Sequence, residues 1–176
     1  LGIKITSLIV DLSGGWLPAA LLLTAFACLI LGMEVPTTAA YVICISVAGP
    51  ALQQLGVPLL AAHLFVFWYA LLSTITPPVC GTVFIAAGMA GAPWLRVAGH
   101  AMVLGVGLYL IPLAMVADIA LIEPSEHLLP ALLAFCRIAF ALYLISKGLI
   151  VRKLPIAGRA ALCLAGLAIM FAPALF

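Results

Sequence analysis

The chain has 176 residues, of which 68% are hydrophobic and 7% charged, with a formal net charge of +2 and a mean hydropathy of +1.42. A water-soluble domain carries about 25% charged residues, so this composition excludes a protein whose surface is covered mainly by water. The small and scattered positive charge also excludes a nucleic-acid partner, which would require a basic patch. We therefore expect a helical protein embedded in a lipid bilayer.

The first predicted elements are an arm and a hairpin. Residues 1–16 are expected to form an arm helix along the membrane interface. Residues 17–52 contain two apolar limbs around a polar, proline-containing break at 34–38. The second limb, of about 14 residues, would reach only about 21 Å, less than the roughly 30 Å of a hydrocarbon core. The sequence therefore predicts a re-entrant hairpin with its tip inside the membrane.

A discontinuous helix and three full spans are predicted next. Residues 58–92 are two apolar runs around a second polar break at 73–78. Residues 97–122 are predicted to cross the membrane once, and residues 128–176 to cross it twice. Basic residues collect on the cytoplasmic side of membrane proteins, and four lie between the last two spans: Lys147, Arg152, Lys153 and Arg159. We therefore expect a multi-pass protein of the inner membrane, with a periplasmic loop at 123–127.

The two breaks are the main functional signal. Backbone that is not helical is tolerated at membrane depth only where protein or a water-filled cavity satisfies its polar groups. Secondary transporters use such paired, discontinuous helices to bind ions and substrates near the middle of the membrane. We therefore expect the two breaks to meet at an ion or substrate site. Packing kinks without any ligand remain the alternative interpretation.

The hairpin tip offers oxygen ligands. Pro36 removes a backbone donor and should end the first limb just before it. Thr37 and Thr38 then begin the second limb, either as a helix cap or as ligands. Their hydroxyls, with the carbonyls freed between Gly32 and Pro36, are the hard oxygen ligands that a small cation prefers.

The second break repeats this design. Thr74 and Thr76 offer hydroxyls, Pro77 frees a carbonyl one turn earlier, and Gly81 allows close approach of the backbone. The candidate ligands of a Na⁺ ion are accordingly the four threonines Thr37, Thr38, Thr74 and Thr76. No cofactor is expected. No nucleophile with a base and no phosphate-binding loop is present, so we expect no enzymatic activity.

Four further polar residues lie within apolar segments. Glu34 is the carboxylate predicted deepest in the membrane, where a charge is unfavourable by about 2.5–3.5 kcal/mol. It either binds and releases a coupling proton or is a helix-terminal acid that is solvated by a cavity or accepts hydrogen bonds from the second limb. His63 is expected at the membrane interface and Asp118 in contact with solvent. Arg137 falls in the middle of a span, where its partner is not evident from the sequence.

Three strings resemble a known family. Residues 32–41 read GMEVPTTAAY, residues 55–58 read LGVP, and residues 75–79 read ITPPV. In this order and spacing, over residues 1–122, they resemble the large membrane subunit of TRAP transporters. The two consecutive threonines and the further spans resemble the fused permeases that work with TAXI-type periplasmic binding proteins.

The resemblance implies both a fold and an activity. The chain would be the C-terminal half of the permease and the second repeat of an inverted-repeat, elevator-type fold of the ion transporter superfamily. Its partners would be the N-terminal half of the permease, a TAXI-type solute-binding protein and a small organic anion. Import would be driven by Na⁺ or H⁺. Glu34 stands where the family pattern has glycine, which keeps proton coupling open, and Cys80-Gly81-Thr82 differs from the dicarboxylate branch.

Two other functions fit the same residues. An elevator-type transporter or channel could use identical hairpins without a binding protein. A membrane assembly or anchoring subunit could contain both breaks as packing features and transport nothing.

Overall fold

The computed structural model describes residues 2–33, 35–122, 128–151 and 155–172, and these residues form helices and turns without a strand. The chain divides into two compact units, residues 1–102 and residues 103–176. The predicted all-α membrane architecture is confirmed. The inverted repeat and the elevator-type arrangement stay predictions. The loop at 123–127 and the basic residues Arg152 and Lys153 lie outside the described residues.

Proline and glycine delimit many of the helices. Pro36, Pro58 and Pro155 each stand directly before a helix, where the missing N–H is no loss. Gly91 ends a helix in the left-handed conformation, at a φ of 60°.

The helices of the first unit are α1 (Gly2–Ser13), α2 (Leu17–Leu31), α3 (Thr37–Gln54), α4 (Leu59–Leu72), α5 (Gly81–Ala90) and α6 (Trp94–Leu104), which reaches the boundary with the second unit. Those of the second unit are α7 (Val106–Ala117), α8 (Leu128–Ile150) and α9 (Ile156–Phe171).

The predicted hairpin corresponds to α2 and α3, which pack against each other and against α4. Helix α3 has 18 residues and is therefore about 27 Å long. It is longer than the apolar run from which the second limb of the hairpin was predicted. The helix continues through the polar residues Gln53 and Gln54, because helical hydrogen bonding does not require apolar side chains. The length of an apolar run therefore underestimates this limb. Its placement relative to the bilayer stays a prediction.

Helix α1 packs on the hairpin. Its Thr6 Oγ1 donates a hydrogen bond of 2.8 Å to the carbonyl oxygen of Val47 on α3, and this contact is buried. Ile9 of α1 lies in an apolar cluster with Ala20 of α2 and Ala51 of α3. The segment predicted as an interfacial arm is thus a helix attached to both limbs of the hairpin.

The predicted discontinuous helix at 58–92 comprises α4, a 3₁₀ turn at Ser73–Ile75, and α5. Helix α5 packs against α6 through Cys80, Val83 and Ala98, which are all buried. The break therefore connects two helices of the same unit. It lies directly beside the hairpin, because the 3₁₀ turn also contacts α2.

The segment 97–122, predicted as one continuous span, is divided. Gly105 separates α6 from α7, and glycine weakens a helix at such a position because it has more backbone freedom to lose. Beyond α7, Asp118 adopts an extended conformation and accepts a hydrogen bond of 3.2 Å from the backbone N–H of Ala120. Among the described residues, α8 has the length and apolar composition to cross a membrane as a single helix, and α6 with α7 would form a second crossing.

Glycines bring α8 and α9 close together. A Cβ atom added at Gly148 of α8 would lie 2.8 Å from the carbonyl oxygen of Arg159 and 2.8 Å from Cys163 Sγ. Gly166 of α9 is equally confined, because a Cβ there would lie 2.8 Å from the carbonyl oxygen of Ala141. Small residues let helices approach in a membrane, where packing rather than the hydrophobic effect drives association.

We expect Gly148→Ala to destabilise the α8–α9 pair by about 1–3 kcal/mol, because the added methyl group forces the helices apart. Gly158→Ala is the matched control, since its Cβ would meet Pro155 Cγ at an ordinary 3.6 Å. Thermal unfolding of the purified protein in detergent measures both. Equal melting temperatures for the two variants would contradict this account of the helix contact.

Candidate functional site

The hairpin tip and the helix break meet at Gly32 and Ser73. The Ser73 hydroxyl lies 2.9 Å from the carbonyl oxygen of Gly32, at the end of α2, and 2.6 Å from that of Ala70 in α4. Ser73 is fully buried. The prediction that the two breaks lie together is confirmed by this contact.

The contact brings two helix C-termini together. Gly32 is the C-cap residue of α2, and Ser73 is the C-cap residue of α4. A helix C-terminus carries a partial negative charge from its unpaired carbonyl groups. The Ser73 hydroxyl has one proton, so it can donate to one of its two neighbouring carbonyls at a time. The carbonyl oxygen of Gly32 also accepts a hydrogen bond of 3.4 Å from the backbone N–H of Val35. The result is a buried cluster of oxygen atoms at the junction of the two helix ends.

Glycine is required at position 32 because the neighbouring atoms leave no room for a Cβ atom. A Cβ atom there would lie 2.6 Å from Ser73 Oγ, 3.0 Å from Ser73 Cβ and 3.1 Å from the carbonyl oxygen of Cys28. Side-chain atoms do not occupy such distances without displacing their neighbours. Gly32 was predicted as a site residue for its carbonyl, and the structure adds the close approach of α4.

The other described tip residues begin α3. Pro36 is the N-cap residue, and Thr37 and Thr38 are the first two residues of the helix, all three with exposed side chains. Pro36, at the cap position, makes no capping hydrogen bond through its side chain. The interpretation of Thr37 and Thr38 as the helix cap is therefore wrong, because both residues lie inside the helix that the proline precedes. Their role as ligands stays a prediction.

The threonines of the second break bond to the helix that they follow. Thr74 Oγ1 donates to the carbonyl oxygen of Leu71 at 2.9 Å, and Thr76 Oγ1 donates to that of Leu72 at 2.7 Å. Such bonds satisfy carbonyl groups that the break leaves without a helical partner. Pro77 is half-buried, and Gly81 is the first residue of α5, also half-buried. Their predicted ligand roles stay predictions.

Glu34 lies outside the described residues. Its two predicted roles, as a proton carrier or as an acceptor for the second limb, stay predictions.

Two polar contacts were not predicted from the sequence. Ser73 belongs to the predicted break, but the ligands expected there were the threonines that follow it. His63, expected at the interface, is half-buried, and its Nδ1 lies 2.6 Å from the hydroxyl oxygen of Tyr41 on α3. His63 lies in the N-terminal part of the mostly apolar helix α4, and Ser73 directly follows that helix. The sequence shows these two polar residues but does not show which residues they contact.

The second unit contains an ion pair. Arg137 Nη2 lies 2.6 Å from Asp118 Oδ2, and the two side chains are 25% and 19% exposed. Asp118, expected in contact with solvent, keeps only partial exposure, because its carboxylate pairs with the arginine in the middle of α8. The pairing was not evident from sequence because 19 positions separate the two residues.

The candidate ligand atoms that the described residues bring to the two breaks are hydroxyl and carbonyl oxygens. The described residues contain no group of three or more His, Cys, Asp or Glu side chains that could hold a metal ion. Hydroxyl and carbonyl oxygens are ligands for hard cations rather than for transition metals. The Gly32–Ser73 contact offers oxygen atoms of this hard type, and the predicted role of the Gly32 carbonyl as a ligand stays a prediction.

Comparison with known proteins identifies the family. Residues 1–124 match the family model described as tripartite ATP-independent periplasmic transporter, DctM component. No curated protein and no solved structure matches this chain. The match covers well over half of the chain and includes both breaks, and it contains the Gly32–Ser73 contact. The chain therefore belongs to the DctM family of tripartite ATP-independent periplasmic transporters.

Proposed function

We propose that this DctM-family chain, a component of a membrane transporter, is the C-terminal half of a permease that imports an organic anion. Uptake is driven by symport of Na⁺ or H⁺ across the inner membrane. The substrate, a carboxylate, arrives on a periplasmic solute-binding protein of the TAXI type. The N-terminal half of the same permease completes the site. The contact between Gly32 and Ser73 is the observation that carries this proposal.

The electrostatics of that contact favour a cation. Two helix C-termini converge there, and each contributes partial negative charge that is unfavourable without a compensating positive charge. The Ser73 hydroxyl cannot donate to both of its neighbouring carbonyls. A cation bound among these oxygens would stabilise the contact and would link ion binding to the position of the hairpin.

The start of α3 supports an anionic substrate. The first backbone hydrogen bond of this helix runs from the N–H of Ala40 to the carbonyl oxygen of Pro36, so the N–H groups of Thr37, Thr38 and Ala39 have no acceptor within the helix. A helix N-terminus of this kind attracts a carboxylate. An ion site and an anion-attracting helix end thus flank the same hairpin tip, as symport requires.

Gly32→Ala tests the cation site. The added methyl group must push Ser73 away, and we expect ion-dependent uptake by the complete transporter in proteoliposomes to fall by roughly tenfold or more. Gly88→Ala is the control, because a Cβ at Gly88 of α5 meets no atom within 4 Å. Uptake of radiolabelled carboxylates is measured as a function of the Na⁺ and H⁺ gradients. Wild-type uptake in the Gly32 variant would contradict the site.

Thr38→Ala tests the hydroxyl ligands separately from the fold. If Thr38 binds the cation, its loss should raise the ion concentration needed for half-maximal uptake by about tenfold, the effect of one good polar contact. Thr38→Ser should restore most of the affinity, since it keeps the hydroxyl. Ser46→Ala removes an exposed hydroxyl farther along α3, one that bonds to Ile43 within the helix, and should change nothing.

An unchanged ion dependence in Thr38→Ala would exclude Thr38 as a ligand. Equal losses in Thr38→Ala and Thr38→Ser would instead point to a steric effect. Absence of any gradient-driven uptake by the complete transporter with its binding protein would overturn the proposed function and favour a non-transporting assembly subunit.

A further inference from the structure

The hydrogen bond between Tyr41 and His63 has no role in the function proposed above. The Tyr41 hydroxyl oxygen lies 2.6 Å from His63 Nδ1, and the contact is half-buried. The Tyr41 ring also meets the ring of Phe67 edge-on, with centroids 5.6 Å apart. Phe67 lies four residues after His63, on the same face of α4. Tyr41 therefore contacts two successive turns of that helix.

Among the described residues, polar contacts at opposite ends of α4 connect that helix to the hairpin. The first joins Ser73, at the C-terminal end of α4, to Gly32 of α2. The second joins His63, in the N-terminal part of α4, to Tyr41 of α3. Tyr41 lies one helical turn after Thr37 and on the same face, so a movement of α3 away from α4 would carry the hairpin tip with it.

The surroundings of His63 carry almost no charge. Residues 17–33 and 35–75, which include α2, α3, α4 and the 3₁₀ turn, contain no Asp, Glu, Lys or Arg. Helix α1, which packs against α2 and α3, carries Lys4 and Asp11, both exposed. The other titratable side chains of these helices are cysteines and tyrosines, which ionise at higher pH: Cys28, Cys44, Tyr41 and Tyr69. Among the described residues of α2 to α4, His63 is thus the one histidine, the residue type used for proton-dependent switching near neutral pH.

We propose that His63 binds a proton during transport and that its bond to Tyr41 holds the hairpin against α4 only while the histidine is neutral. We call this proton-sensitive bond the latch. The 2.6 Å contact allows two tautomers of the neutral pair, and we assign the one in which the Tyr41 hydroxyl donates to Nδ1 and Nε2 carries the ring proton. A proton from water then binds to Nδ1, which becomes a donor. The Tyr41 oxygen now accepts that bond, and its own hydrogen must turn to another acceptor. The pair gains one positive charge.

The added charge changes which arrangement of the helices is stable. Residues 17–33 and 35–75 offer no carboxylate to pair with the imidazolium. Within these residues it is stabilised by its bond to the Tyr41 oxygen and by water. Water surrounds the half-buried ring fully only when α3 moves away from α4. Protonation therefore shifts the population toward an open hairpin, and loss of the proton closes it. This inference rests on the proposed function, because it assigns the proton step to a contact that moves the hairpin tip.

The experiment compares three single variants of the complete transporter, reconstituted with its binding protein. His63→Gln keeps a neutral hydrogen-bonding side chain but cannot titrate, and Tyr41→Phe removes the bond while leaving the histidine. Initial uptake is measured from pH 5.5 to pH 8. We expect wild-type uptake to change by about fivefold over this range, the factor typical of one hydrogen bond, and both variants to have a flat profile. Glu34→Gln, the third variant, distinguishes a proton carried by His63 from one carried by Glu34.

Hydrogen exchange supplies a readout that does not depend on transport. Deuterium uptake of peptides from residues 37–54 and 59–75 is followed at each pH and corrected for the intrinsic exchange rate. In the wild type we expect faster exchange of both segments at acidic pH, as the latch opens. In His63→Gln and Tyr41→Phe the corrected exchange should be the same at every pH. Peptides from residues 128–150, in the other unit, serve as the internal control.

Each possible result either supports or overturns the proposed role of the bond between His63 and Tyr41. A wild-type pH profile in His63→Gln, or pH-independent exchange of the wild-type hairpin, overturns the latch. A profile that disappears in Glu34→Gln alone assigns the proton to Glu34 and likewise overturns it. If the wild type shows no gradient-driven uptake, the proposed function fails, while the exchange data still decide whether His63 controls the hairpin. If His63→Gln does not reach the membrane, Tyr41→Phe carries the same test.

Discussion

The constraint on which this structure depends is that backbone polar groups inside a membrane must find partners within the protein. Two helices stop and restart in the first unit, and each interruption frees carbonyl groups. Three hydroxyl groups provide partners for these carbonyls. Ser73 reaches the end of α2, while Thr74 and Thr76 bond back to α4. The breaks are therefore stable as backbone conformations, and the oxygen-rich contact between them follows from the same requirement.

The two units use polar groups differently. The hairpin and α4 contain hydroxyls, carbonyls and one imidazole but, in their described residues, no ionised side chain. The second unit instead contains the Asp118–Arg137 ion pair and the arginine Arg159, which donates to the carbonyl oxygens of Gly148 and Leu149 at the end of α8. Neutral oxygen atoms bind a cation less tightly than a fixed carboxylate does, which is in keeping with the proposed binding and release of a coupling ion at the hairpin.

Close approach of helices at a glycine is the second feature that recurs in this chain. Gly32 lets α4 touch the end of α2, and Gly148 and Gly166 let α8 and α9 come together without intervening side chains. The same physical reason operates at all three positions, since helices in lipid associate by packing and hydrogen bonding. At Gly32 the close approach also forms the contact with Ser73 that we propose as a cation site, so the proposed function depends there on the same residue as the packing.

The sequence by itself determined the class of protein, both breaks and most helix ends. Hydropathy reports which segments are stable in lipid, and proline and the polar clusters mark where a helix cannot continue. Hydropathy was less reliable where helices extend past an apolar run, as in α3, or divide within one, as at Gly105. The predicted ligand positions of Glu34, Thr37 and Thr38 stay predictions. Only the tertiary structure decided which side chains meet: Ser73 with Gly32, Tyr41 with His63, and Asp118 with Arg137. These partners are 41, 22 and 19 positions apart, and contacts at such separations depend on how the helices pack, which local patterns do not encode.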